Sequence, residues 1–120
     1  PINLPWAQLD DLLRVVVDYG LAGVIIGNLN KDYSALDWRD EAPAQYVGGL
    51  SGKPCRDLST ALIRQTRERY GKQFTIIGCG GVMSPQDARD KFSAGAVLIQ
   101  LITGLIYEGP GLVKRLCLNV

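Results

Sequence analysis

Apolar positions along the chain switch between two periods. Leu9, Leu12, Leu13, Val16 and Val17 recur at helical spacing among polar residues, and Tyr19-Gly20 follows. That spacing predicts an amphipathic helix stopped by glycine. Ala22-Gly23-Val24-Ile25-Ile26-Gly27 then runs without a polar side chain, as does a parallel strand covered on both faces. Leu58, Leu62, Ile63 and Thr66 form a second helical stripe, with Arg64, Arg67, Glu68 and Arg69 on the wet side and Gly71 as the stop. Strands are predicted at Thr75-Ile76-Ile77 and at Ala96 to Leu101, joined by a helix that Phe92, Ala94 and Gly95 close onto the third strand. A last helix is predicted after Gly109-Pro110, with Leu112, Val113 and Leu116 inward. From about Lys31 to Cys55 the sequence is polar and irregular, and a loop of that length in a compact domain is functional or disordered.

Wholly apolar strands alternating with helices imply a parallel α/β sheet with right-handed crossovers, either doubly wound or a piece of a (β/α)8 barrel. Two consecutive strands end in glycine turns, Gly80-Gly81 and Thr103-Gly104. Barrels gather such residues at strand C-termini, with phosphate on the loops after the last two strands. A doubly wound sheet more usually carries its glycine fingerprint after the first strand. Three strands cannot close a barrel, which takes about 250 residues. Residues 1–120 are therefore expected to be one partial TIM-barrel domain of about three strand–helix units.

The stretch Thr75 to Asp87 is chemically the most pointed. Gly80 and Gly81 let backbone N–H groups approach a ligand closely, and Ser84, Pro85 and Asp87 read as the cap, first position and first turn of a helix. Strand, glycine turn and capped helix make a phosphate seat. They equally make a tight turn with no ligand, and the glycine pair alone does not decide between the two.

Composition removes several classes of function. Thirteen basic and twelve acidic residues leave a net charge of +1, so no basic stripe argues for nucleic acid. Cys55, Cys79 and Cys117 are odd in number without CxxC spacing, and histidine is absent, so neither a disulfide framework nor a metal site is expected. A reducing compartment fits. No apolar run reaches the roughly 18 residues of a membrane span, no signal peptide opens the chain, and Pro1 in place of Met leads us to expect a preceding segment. Lys53 and Arg56 suit an anion or solvent, while Trp6, Trp38 and Tyr107 are too scattered for a stacking platform.

Four motifs in order carry a family resemblance: Gly48-Gly49-Leu50-Ser51-Gly52-Lys53-Pro54, Arg56-Asp57-Leu58-Ser59-Thr60, Ile76-Ile77-Gly78-Cys79-Gly80-Gly81-Val82, and Gln100-Leu101 with Gly109-Pro110. Together they resemble the C-terminal third of dihydroorotate dehydrogenase, most closely its membrane-associated, quinone-linked class. The resemblance implies a flavin mononucleotide (FMN) barrel that oxidises dihydroorotate to orotate in pyrimidine synthesis. By that similarity Gly52, Gly80, Gly81, Ile102 and Thr103 would line the FMN phosphate and ribityl chain, with Gly27 near the flavin. Asn28 and Leu29 would fall in the substrate site, Asn28 as a hydrogen-bonding partner.

The chain also departs from the family. Gly27-Asn28-Leu29-Asn30 stands where the family usually has Thr-Asn-Thr-Thr, and Leu29 cannot donate to a carboxylate. Ile102 stands where an aromatic residue is common. In the family the general base and a flavin-contacting lysine lie on earlier segments, so no residue here is assigned a catalytic role. The cysteines are assigned to packing. The resemblance implies a segment inactive alone, needing an N-terminal half or a second copy, and cytoplasmic or membrane-associated only through a region outside this sequence. The other readings are a non-catalytic partial barrel that oligomerises or binds a phosphate-bearing ligand, and a different phosphate-binding barrel enzyme.

Overall fold

The computed structural model describes residues 2–36 and 47–120. Helix α1 (Trp6–Asp18) leads to strand β1 (Gly23–Ile26), followed by short 3-10 turns at Tyr33–Ala35 and Lys53–Cys55. Helix α2 (Arg56–Tyr70), strand β2 (Thr75–Cys79), helix α3 (Pro85–Ala94), strand β3 (Leu98–Gln100), and helices α4 (Thr103–Glu108) and α5 (Gly111–Asn119) complete the order. The three strands form one parallel sheet in the order β1-β2-β3. Sequential order and parallel pairing through helices are what a segment of a (β/α)8 barrel requires.

Helices cover one face of this sheet. Leu13, Val16, Ile26, Ile63, Tyr70, Phe74, Ile76, Ala94 and Ala96 form the core beneath them, and Val82, Ala88, Leu112 and Leu116 form a second cluster under α5. On the other face the register places Ile25 beside Ile77 and Ile77 beside Leu98, one apolar row across all three strands. Ile25 is 56% exposed and Leu98 57%. The expectation of strands covered on both faces is corrected accordingly: β1 and β3 have no outer neighbour among the described residues, and the row that would fill a closed barrel is bare.

The helical stripes also differ from the reading by apolarity alone. Leu13 and Val16 of α1 are buried as expected, while Leu12 faces outward. In α2 the inward row is Ser59, Ile63, Thr66 and Tyr70, and Leu58 is exposed. In α3 it is Asp87, Ala88, Lys91 and Ala94, and Phe92 lies toward solvent. Cys79 lies on β2 and is partly buried, Cys55 is buried, and Cys117 is exposed, so the packing role expected of Cys117 does not hold.

Two further differences concern loops. Thr103-Gly104, expected as a plain turn, opens the two-turn helix α4. The stretch from Lys31 to Cys55 is tied at its base by reciprocal backbone hydrogen bonds between Asn30 and Leu50, of 2.9 and 2.7 Å. Residues 37–46, Trp38 included, lie outside the described residues. Tyr107 is exposed and Trp6 packs on the core edge. Among the described residues no helix is long and apolar enough to cross a membrane.

Candidate functional site

A cleft opens where the three strands end. The end of β1 contributes Gly27, Asn28 and Leu29, the second 3-10 turn contributes Ser51, Gly52 and Cys55, and β2 contributes Cys79, Gly80 and Gly81. Leu101, Ile102, Thr103 and Gly104 close it from β3 and α4. All eight residues singled out in the sequence thus meet in one place: Gly27, Asn28, Leu29, Gly52, Gly80, Gly81, Ile102 and Thr103.

Glycine is required at the centre of this cleft for reasons of space. Gly81 has φ +74°, and a Cβ there would stand 2.5 Å from Arg56 Cβ. Gly52, also at φ +74°, lies against Thr103, whose Cγ2 would be 3.0 Å from an added Cβ. These close approaches bring α2, the Gly52 loop and the start of α4 together around a small hollow. Three residues of the lining have free backbone donors: the N–H groups of Gly80, Gly81 and Val82 have no acceptor among the described residues. Those of Thr103 and Gly104 lie in the first turn of a helix, where no intrahelical partner exists.

The predicted cap is present in full. Ser84 Oγ accepts from Asp87 N–H at 3.3 Å, and Asp87 Oδ2 accepts from Met83 N–H at 3.0 Å and from Ser84 O–H at 2.8 Å. Asp87 also faces Arg56, whose Nη1 lies 3.5 Å from Oδ1. Arg56 is therefore held by Asp87 and, at 2.9 Å, by Asp57, rather than simply solvated.

Two buried polar residues escaped the sequence reading. Asn30 is fully buried, accepts from Asn3 Nδ2 and Asp32 N–H, each at 2.8 Å, and donates to Pro54 O at 2.9 Å. It thereby fastens the Gly52 loop to the end of β1. Lys91 is likewise fully buried, and burial lowers its ammonium pKa to about 8. The available signal was periodicity, since Lys91 falls on the same α3 face as Asp87, Ala88 and Ala94.

Chemically the cleft offers backbone N–H donors, the hydroxyls of Ser51 and Thr103 and the Asn28 amide, with no carboxylate in its wall. It suits an anion. Burial raises the Cys55 thiol, which keeps it protonated and unreactive. The hollow measures about 110 Å³, against roughly 300–1,000 Å³ for a complete small-molecule pocket. It has room for a phosphate and for only part of a larger ligand. No group of residues suited to a metal occurs among those described.

Known proteins resemble this chain over nearly all of its length. The family model described as dihydroorotate dehydrogenase matches residues 1–120. The dihydroorotate dehydrogenase (quinone) of Nostoc punctiforme is 39% identical over 119 residues, which cover 95% of this chain and 32% of that protein. Its counterpart in Rhizobium meliloti is 44% identical over 108 residues, covering 90% and 29%. The crystal structure of ligand-free DHODH from Eimeria tenella superposes with a TM-score of 0.87 at 27% identity, over 98% of this chain and 32% of that one. The same enzyme in complex with ferulenol gives 0.82 at 28% identity, over 96% and 30%. The chain spans about a third of the length of these relatives. With three parallel strands in barrel order and their glycine turns converging on one cleft, this chain belongs to the dihydroorotate dehydrogenase family.

Proposed function

We propose that this chain forms the phosphate end of an FMN site, and one wall of the adjoining substrate site, in an enzyme that oxidises dihydroorotate to orotate. The observation that carries this reading is the convergence of Gly52, Gly80, Gly81 and Thr103 on one hollow with unpartnered N–H groups. A phosphate offers several acceptor oxygens and two negative charges, which such donors match. The cradle fits FMN because a side chain at Gly52 would meet Thr103 in its wall, while glycine at 81 lets the turn seat against Arg56, where a Cβ would clash.

Bound FMN supplies the electron acceptor, and a quinone, as in the relatives' names, would reoxidise it. The residues here bind and orient. Gly81 and Thr103 hold the phosphate end, Gly27 lies where the ring system would approach, and the exposed Asn28 amide offers a donor and an acceptor to dihydroorotate. Leu29 offers neither, so the substrate is held by fewer bonds on this side. The proton acceptor for dihydroorotate comes from a segment other than these residues, supplied by an N-terminal half or a second copy, and the chain alone is inactive. Membrane association, where it occurs, would come through such a segment too.

Leu29 and the lack of a base in the cleft wall favour one second reading: a partial barrel that binds a phosphate-bearing ligand without turnover. Anaerobic absorption spectra with FMN, before and after dihydroorotate, separate the two. Retained flavin that dihydroorotate bleaches only after a complementing segment is added supports the first reading. Retained flavin that is never bleached supports the second. Failure to retain flavin contradicts the first reading, and failure to bind inorganic phosphate as well contradicts the second.

A further inference from the structure

Behind the glycine turn lies a buried cation that touches no part of the cleft. The Lys91 stem passes β2 at Gly78, where an added Cβ would stand 3.2 Å from Lys91 Cδ. Its ammonium reaches the first turn of α2 and donates to Ser59 Oγ at 2.5 Å, Thr60 Oγ1 at 3.1 Å and Arg56 O at 3.4 Å. Ser59, itself fully buried, lies 3.3 Å from Gly80 O and 3.2 Å from Arg56 O. A continuous hydrogen-bonded path therefore runs from Lys91 through Ser59 to the carbonyl of Gly80.

The direction of that path follows from proton counting. An ammonium has three hydrogens and no lone pair, so Ser59 Oγ accepts from it, and the serine hydrogen is left for a carbonyl. A neutral amine has a lone pair and competes for that hydrogen. The ammonium's partners are all uncharged. The ionisable groups around it are Asp87 on its own helix, Asp57 on α2, Cys79 on β2 and Cys55 in the second 3-10 turn, while the Arg56 guanidinium turns to Asp57 and Asp87. An apolar side chain would avoid the desolvation that this ammonium suffers. The cation is thus placed against an electrostatic cost, directly behind the anion seat.

Building on the phosphate seat proposed above, we propose that Lys91 is its positioning residue: the ammonium turns the Ser59 hydroxyl toward Gly80 O, fixes the Gly80-Gly81 turn, and adds positive charge behind the N–H donors.

The test compares the chain with its Lys91→Met and Ser59→Ala variants. Amide hydrogen exchange is measured without ligand at Gly27 and Met83, whose N–H groups bond to Cys79 O and Asp87 Oδ2 on either side of the Gly80-Gly81 turn, and FMN affinity is measured by flavin fluorescence from pH 6.5 to 9. In both variants these amides are expected to exchange about fivefold faster, the effect of one lost neutral hydrogen bond, while α5 amides are unchanged. FMN affinity of the unmodified chain falls as pH rises through about 8, and Lys91→Met removes that dependence. If Lys91→Met fails to fold, Ser59→Ala breaks the same path with the lysine kept. Variants with unaltered exchange at Gly27 and Met83 would overturn the role of Lys91. Absence of FMN binding by the unmodified chain would overturn the phosphate seat alone, because the ligand-free exchange still decides whether Lys91 holds the turn.

Discussion

Ile25 and Leu98 flank Ile77 in one row across the sheet, and each is more than half exposed. Neither side chain has a layer of partners above it, and the outer edges of β1 and β3 carry N–H and C=O groups with no strand opposite among the described residues. An apolar face beside open strand edges is a template for association.

The isolated chain is therefore expected to self-associate, as dimers, strand-swapped forms or larger species. Replacing Ile25 and Leu98 together by lysine should reduce the mean size seen by light scattering. Its effect on stability should stay within about 0.5 kcal/mol per site, as for surface positions. A monodisperse monomer before substitution would contradict this.

Gly20 and Gly81 give a paired prediction about space. Both have positive φ, +62° and +74°, yet an added Cβ meets nothing within 4 Å at Gly20 and meets Arg56 at 2.5 Å at Gly81. Gly20→Ala should lose about 1–2 kcal/mol, the left-handed backbone cost alone. Gly81→Ala should lose more and also lose FMN binding, because either Arg56 or the turn must move. Urea melts of the two variants, with an FMN titration of each, check the contrast.

Asp10 gives stability a dependence on acid. Its carboxylate accepts from Tyr70 O–H at 2.6 Å and from Arg14 Nη2 at 2.8 Å, joining α1 to the end of α2. The Tyr70 hydrogen bond, helped by Arg14 and Arg69, holds the carboxyl below its ordinary value of 3.8. A lowered folded-state pKa means that the stabilisation is full above about pH 4 and is lost as pH falls below that value. Asp10→Asn should be less stable at pH 7, and the difference should shrink as pH falls below 4, as read by urea unfolding across that range.

Lys91 should act with the same sign in a more alkaline window, here because its charged form costs stability. Its folded-state pKa is about 8 against an ordinary 10.5. Between those values the unfolded chain binds more protons than the folded one, so stability from this group rises with pH across that window. Lys91→Met should match or exceed the unmodified chain at pH 7, and the difference should close as pH passes from 8 to 10. A difference independent of pH would contradict a buried ammonium. Greater overall stability with a looser Gly80 turn would separate a positioning role from a packing one.

What was legible in the sequence followed from periodicity and punctuation. The order of α1, β1, α2, β2, α3, β3 and α5 could be read because each has an apolar period with a glycine or proline boundary or, for α3, the Ser84-Pro85-Asp87 helix start. The cleft glycines were legible because motif order fixed their place. Helix α4 was not, since Thr103-Gly104-Leu105-Ile106-Tyr107-Glu108 is short, has glycine at its second position and carries no side-chain cap. The inward faces of α2 and α3 were misread for a different reason. Leu58 and Phe92 look like core residues by apolarity, yet the buried positions beside Ile63 and Thr66, which were read correctly, go to Ser59 and Lys91. Ser59 and Lys91 hydrogen-bond each other beneath the glycine turn, whereas no partner for Thr66 Oγ1 occurs among the described residues. Asn30 escaped because its partners, Asn3 and Pro54, are 27 and 24 positions away.

The central claim is that the cleft at the strand ends is a phosphate seat. Parallel titrations of the chain with FMN and with riboflavin, which lacks only the phosphate, test it most directly. The account predicts that FMN binds at least about tenfold more tightly, as expected when charge-assisted hydrogen bonds to the phosphate are gained, and that Gly81→Ala abolishes the preference. Equal affinity for the two flavins, or binding of neither, would contradict it.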